Sequence, residues 1–193
     1  TKGKNMFTGS MVAVATPMNN DGSIDYESYE NLIEFHIKNN TDAIVPVGTT
    51  GESATIDQSE HCKIVSFVVD KVAKRIPVIA GTGANSTAEA IALTKYAYEA
   101  GVDGCLSVTP YYNKPTQEGL YLHFKSIADS VPVPLIPYNV PGRTSCDMLP
   151  STVKRFLEIE NIVAVKEAIG ELDRIKDLGE ICGDKINILS GDD

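Results

Sequence analysis

Short apolar runs rich in β-branched residues return at a nearly constant interval along this chain, and that interval limits the fold more than any other feature. The runs are MVAVATP (11–17), AIVPVGTTGE (43–52), PVIAGTGAN (77–85), GCLSVTPYYN (104–113), PLIPYNVPGRT (134–144), IVAVKEAIG (162–170) and INILSGDD (186–193). Each closes on Gly, Thr, Pro, Asn or a charged residue, and the next opens roughly 30 residues later, the length of one βα unit. Between the runs the period becomes helical. Val65, Val68, Val69 and Val72 fall at i, i+3, i+4, i+7, as do Phe124, Ile127, Ala128 and Val131, so both stripes should face a sheet. Ser86, with Glu89 three residues on, caps a helix that Gly101 should end. Repeated βα units make a parallel sheet, either open and doubly wound or closed into a barrel, and polar clusters at the end of every run favour the (β/α)8 TIM barrel.

Two features sit awkwardly in a barrel. Pro46 and Pro137 fall inside strands that would be paired on both sides, so bulges or local distortions are expected there. The sequence also stops at GDD after the seventh run, whereas a complete barrel takes about 250 residues. The expectation is one barrel domain over residues 1–193, incomplete at seven strands and cut from a longer protein that folds poorly without the rest. Met6 is read as the native start, with residues 1–5 left over from expression.

Composition narrows the partners. The chain is 42% hydrophobic and 22% charged, suited to one globular core, and its net charge of −9 argues against nucleic acid or an anionic membrane surface. An anionic substrate would need a locally positive pocket. Cys62, Cys105, Cys146 and Cys182 lie far apart without a C-x-x-C pair, which disfavours a disulfide framework or zinc knuckle and leaves a reducing cytoplasm as the expected compartment. No apolar run approaches the roughly 20 residues that span a bilayer, and the opening lacks a signal-peptide core.

In a barrel the chemistry lies where the strands end. Lys166 closes the buried-looking run IVAVKEA, where a lysine either snorkels to water or serves as an amine that desolvation makes easier to deprotonate. Alternation of Ile162, Ala164 and Lys166 against Val163, Val165 and Glu167 puts the lysine on the face with the smaller residues, toward the barrel interior. Tyr138 would enter the same space from the neighbouring strand with a phenol that donates and accepts protons, or simply be a half-buried core tyrosine. Arg143, in the loop after Pro141 and Gly142, could grip a carboxylate or form a surface ion pair. GTTGE (48–52) could cradle a small anion or be an ordinary strand-to-helix turn.

Other chemistries fit less well. His36, His61 and His123 lie on helical segments away from the strand exits, and no H-E-x-x-H or Cys/His cluster is present, so no metal site is expected. GTGANS (81–86) has serine for the third glycine of a dinucleotide fingerprint, and GTTGES lacks the G-K-[ST] of a nucleotide loop. Carbon–carbon chemistry here would be covalent and need no cofactor.

GTTGES, TPYYN, YNVPGRT, VKEA and LSGDD, in that order from Met6 to Asp193, resemble the dihydrodipicolinate synthase branch of the pyruvate-dependent class I aldolases, the N-acetylneuraminate lyase family. The resemblance implies a lyase that condenses pyruvate with L-aspartate 4-semialdehyde to 4-hydroxy-tetrahydrodipicolinate in lysine (diaminopimelate) biosynthesis. Lys166 would form the Schiff base, Thr50 would hold the pyruvate carboxylate, and Gly191 would line the substrate site. Tyr138 would shuttle protons in a relay with Thr49 and with Tyr112 of a neighbouring subunit. Arg143 would bind the semialdehyde carboxylate, separating this branch from lyases of N-acetylneuraminate and other 2-keto sugar acids. The family also implies a dimer or tetramer when full length, and lysine feedback at Ser53, Ala54, His61, Asn85, Glu89 and Tyr111, with Gln58 standing where some inhibited members have histidine. A non-catalytic dinucleotide-binding module is the other class of reading.

Overall fold

The computed structural model of the chain describes residues 7–192. The native start read at Met6, the segment 1–5 and Asp193 of the last motif lie outside the described residues. Each of the seven apolar runs contains a strand: β1 (Met11–Ala13), β2 (Ala43–Val45), β3 (Ile79–Gly81), β4 (Gly104–Val108), β5 (Leu135–Asn139), β6 (Ala164–Glu167) and β7 (Asn187–Ser190). The helices α1 (Tyr26–Lys38), α2 (Gln58–Val72), α3 (Thr87–Ala100) and α4 (Gln117–Ser130) alternate with the first five. Two short helices, α5 (Pro141–Thr144) and α6 (Pro150–Phe156), follow β5, and α7 (Leu172–Cys182) links β6 to β7. Every named strand pair is parallel, and the strands lie side by side in chain order, with an Ile44–Val78 bridge joining the β1–β2 pair to the other five. This is an arc of a (β/α) barrel.

The predicted stripes are what hold the helices on it. Val65, Val68 and Val72 of α2 and Phe124, Ile127 and Ala128 of α4 are buried in the layer between helices and strands. The Ser86 hydroxyl accepts the Glu89 N–H at the start of α3, and Gly101 ends that helix at φ +90°, a left-handed conformation that glycine adopts without strain. A second cluster fills the concave side, with Ala43, Val45, Ile79, Leu106, Ile136, Tyr138 and Ala164. Among the described residues no helix is long and apolar enough to cross a membrane.

The two prolines are accommodated differently. Pro46 lies one residue beyond the end of β2, where its carbonyl still accepts the Gly81 N–H at 2.9 Å. Pro137 is inside β5, opposite Ser107 of β4, and the distortion lies on its other side. Leu135 pairs with Ile162 but Tyr138 pairs with Lys166, so β6 carries one more residue than β5 between these points. Val163 donates its N–H to Leu135 O (3.1 Å) while its carbonyl turns away to accept the Asn187 N–H of β7 (3.0 Å). A proline cannot donate to the ladder, and the bulge gives the carbonyl it would have served another partner. The bulge also corrects the expected alternation. Val163 and Ala164 both pack in the interior, whereas Ile162 and Val165 join the helix-facing layer, so Ile162 does not share the face of Lys166.

Beside the turn after Pro46, Val47 is held at φ +47°, a costly conformation for a buried β-branched residue. A Cβ at Gly81 would stand 2.2 Å from the Val47 carbonyl oxygen. Gly81→Ala should therefore lose about 2 kcal/mol through backbone displacement, seen as a lower urea midpoint. An unchanged midpoint would mean that the turn relaxes freely.

Candidate active site

Lys166 and Tyr138 are register partners across β5 and β6, and both project to the concave side. The Lys166 Nζ lies 4.4 Å from the centre of the Tyr138 ring. The lysine stem borders a small apolar space formed with Ala13, Val45, Ile79, Leu106, Ile136 and Leu189. Its outer end opens on a larger cavity of about 900 Å³, which Thr49, Thr50, Tyr138, Arg143, Lys166 and Gly191 all line. Six of the residues singled out in the sequence thus meet in one place.

Local structure explains the meeting. The GTTGE turn is pinned by the buried Thr16 hydroxyl donating to Gly51 O at 2.7 Å, which leaves Thr49 and Thr50 exposed at the cavity. A single 3₁₀ turn, Ser53–Thr55, separates it from α2. Arg143 sits not in a loop but in the one-turn helix α5, whose Thr144 is buried and donates its hydroxyl to Val140 O and Cys146 O. Gly191 follows β7 and donates its N–H to Glu167 O at 2.8 Å. A Cβ there would stand 2.7 Å from the Lys166 Cε, so glycine leaves room for the lysine. Among the described lining residues Lys166 and Arg143 face one carboxylate, Asp192, giving the locally positive pocket that so acidic a chain needs for an anion. Burial pushes the Tyr138 phenol above its ordinary pKa, so it stays protonated at neutral pH and can donate as well as accept.

Tyr112 is not part of this group. It stands 91% exposed on a turn at φ +70°. The residues named for a lysine effector gather elsewhere, around the exit of β3 and the start of α3. Asn85 Oδ1 accepts the Tyr111 N–H at 2.8 Å, and Glu89 lies close enough to His61 to favour its charged form. Ser53 lies in the 3₁₀ turn, next to the exposed Ala54. His61 belongs to α2 as expected but is not remote from the strand exits, because its Nε2 lies 2.8 Å from Gly81 O at the end of β3. Burial lowers its pKa.

A polar network behind the pair went unread in the sequence. Glu167 is only 2% exposed, and its carboxylate accepts bonds from Asn139 Nδ2 (3.0 and 3.1 Å), the Ala168 N–H (3.0 Å) and Arg174 Nη1 (3.4 Å). Arg174, from the first turn of α7, also grips Asp147 with two bonds of 2.8 and 2.7 Å. Asn139 Nδ2 reaches Asp147 as well, and its Oδ1 accepts the Met148 N–H. Burial raises the Glu167 pKa while the Arg174 hydrogen bonds lower that of Asp147. The available signal was Glu167 itself, a carboxylate one residue past an inward lysine and so facing the helix layer, where a charge needs a partner.

Residues 6–193 match the model of the dihydrodipicolinate synthetase family. The chain is 64% identical over 188 residues to the 4-hydroxy-tetrahydrodipicolinate synthase of Thioalkalivibrio sulfidiphilus, covering 97% of this chain and 64% of that protein. The crystal structure of the chloride-inhibited dihydrodipicolinate synthase of Acinetobacter baumannii in complex with pyruvate superposes with a TM-score of 0.93 at 53% identity, over 95% of this chain and 63% of that one. The Cyanidioschyzon merolae enzyme, solved with lysine bound, is similar with a TM-score of 0.91 at 42% identity, over 95% of this chain and 63% of that one. The chain therefore spans about 64% of the length of the curated relatives it matches.

Proposed function

This chain belongs to the dihydrodipicolinate synthetase family, and from that premise we propose that it carries the catalytic centre of a 4-hydroxy-tetrahydrodipicolinate synthase, a cytoplasmic lyase of lysine biosynthesis. The observation that supports this reading most is the register pairing of Lys166 with Tyr138 at the mouth of one cavity. Pyruvate is the first substrate. The neutral Lys166 amine attacks its ketone, water leaves, and the protonated imine draws electrons so that a methyl proton can depart, giving an enamine. Tyr138 moves that proton and those of imine formation, with Thr49 as its neighbour in the relay. Thr50 takes the pyruvate carboxylate. The enamine carbon then bonds to the aldehyde carbon of L-aspartate 4-semialdehyde, whose own carboxylate pairs with Arg143. The amino group of the semialdehyde displaces Lys166 as the ring closes, and the amine is regenerated.

Tyr112, exposed on its turn, is the residue we assign to the relay of a neighbouring subunit in a homo-oligomer. Lysine is the proposed effector, at Ser53, Ala54, His61, Asn85, Glu89 and Tyr111. The bond from the Tyr111 N–H to Asn85 Oδ1 holds two of these residues together.

The full-length gene product should convert pyruvate and L-aspartate 4-semialdehyde, and borohydride added with pyruvate should leave its label on the peptide containing Lys166. Label on another residue overturns the assignment, and turnover with N-acetylmannosamine in place of the semialdehyde moves the protein to the sugar-acid branch. Gly191→Ala should slow trapping at least about tenfold with little change in melting temperature, since the added methyl displaces the lysine stem by a fraction of an ångström to about 1 Å.

A further inference from the structure

The β5–β6 ladder is weakest just before the pair on which the chemistry rests. Pro137 offers no N–H, the Val163 carbonyl has turned to β7, and the register has slipped by one residue between Leu135–Ile162 and Tyr138–Lys166. The backbone bonds upstream, Leu135 N–H to Asn161 O (2.7 Å) and Val163 N–H to Leu135 O (3.1 Å), hold the two strands in a register one residue off that of Tyr138 and Lys166. The next pair holds the register that the chemistry uses. Asn139 and Glu167 are register partners on the opposite face, joined side chain to side chain through the Asn139 amide and tied to α7 by Arg174 and to the segment after α5 by Asp147. Side chains alternate along a strand, so fixing Asn139 against Glu167 fixes Tyr138 against Lys166 on the other face.

We propose that Asn139 and Glu167, braced by Arg174 and Asp147, are positioning residues that restore the register lost at Pro137 and so hold Tyr138 at the distance from Lys166 that proton transfer requires. The network touches no substrate. It acts through the two residues that do, and the backbone continues its work: Ala168 donates to Asn139 O at 2.9 Å and Gly191 donates to Glu167 O, tying the exits of β5, β6 and β7 together. A buried network of this kind is strong only when every member is satisfied, which is why the side chains must be removed singly and their neighbours compared. The inference rests on the reading of Lys166 and Tyr138 given above.

The test uses the full-length protein at a temperature where near-ultraviolet circular dichroism shows each variant folded. Asn139→Ala and Glu167→Ala should lower kcat by roughly 10- to 100-fold, the cost of a misplacement of about 1 Å, while the KM for pyruvate moves less than about threefold, since the carboxylate site is untouched. Glu167→Gln keeps an acceptor for the Asn139 amide and the Ala168 N–H, and should recover activity to within a few-fold of the parent. A purely structural role would lower the melting temperature of the variants and leave kcat of the folded protein alone, which would overturn the proposal. So would a loss carried entirely by KM, or a Glu167→Gln variant no better than Glu167→Ala. If the parent protein itself traps no pyruvate on Lys166, the proposed function fails and this inference falls with it. A parent that traps pyruvate beside a Glu167→Ala variant that turns over normally sinks the inference alone.

Discussion

Lys166→Ala should leave a folded protein that traps no pyruvate with borohydride and turns over at least about 10³-fold more slowly than the parent, since removal of a covalent nucleophile leaves only binding and polarisation. The substitution removes a stem that borders an apolar space, and alanine fits there without a buried charge, so stability should change little. Tyr138→Phe separates the roles. It keeps the ring beside the Lys166 amine and removes only the phenol. The imine should still form and be trapped, more slowly, with kcat down by about 10²-fold or more, in the range of a lost general acid–base. Mass spectrometry of the reduced protein distinguishes the outcomes. Undiminished labelling in Lys166→Ala would end the Schiff-base reading, and full kcat in Tyr138→Phe would remove the tyrosine from the relay.

The largest stability effect is expected at Arg174. Its side chain is the only cation within the described network around Glu167 and Asp147, and Arg174→Met would strand a carboxylate whose side chain is 1% exposed. Breaking a buried pair from one side costs about 3 kcal/mol or more, which for a domain of this size lowers the melting midpoint by roughly 6–12 °C. The pH dependence follows from two carboxyls shifted in opposite directions. Asp147 is depressed by the hydrogen bonds from Arg174, so its contribution is present above its unfolded value of 3.8 and is lost as the pH falls through the folded value. Glu167 is raised by burial, so its share is complete below its unfolded value of 4.5 and erodes as the pH climbs through the folded one. Arg174→Met should therefore differ most from the parent at neutral pH and approach it only as the pH falls through the depressed folded value of Asp147, below which both carboxyls carry protons and no anion is stranded. Urea midpoints measured at both ends check this; a constant difference would mean that the ion pair is not its origin.

The order of strands and helices was legible because each element needed only local information: a run of β-branched residues, a stripe at helical spacing, a cap at Ser86 and a stop at Gly101. The meeting of Thr49, Thr50, Tyr138, Arg143 and Lys166 was legible because a barrel gathers strand exits wherever they fall in the chain, whereas Gly191 came only with the family resemblance. What escaped depended on register. Asn139, Asp147 and Arg174 converge on Glu167 only once β5 and β6 are aligned, and the slip opposite Pro137 decides that alignment. The same slip explains why strict alternation misassigned Ile162 while it placed Lys166 correctly: two successive interior residues, Val163 and Ala164, reset the count. His61 reaches Gly81 because α2 lies against β3, a contact that its own helix position does not reveal.

That slip also governs which changes in chain length the protein can tolerate. Deleting one codon among 163–165 would straighten β6, yet a straight β6 would ask Pro137 for a bond that an imino acid cannot give, or else turn Lys166 toward the helices and Glu167 into the cavity. The number of residues in one strand is thus set by a ring in its neighbour, and insertions or deletions should be absent there unless position 137 changes first.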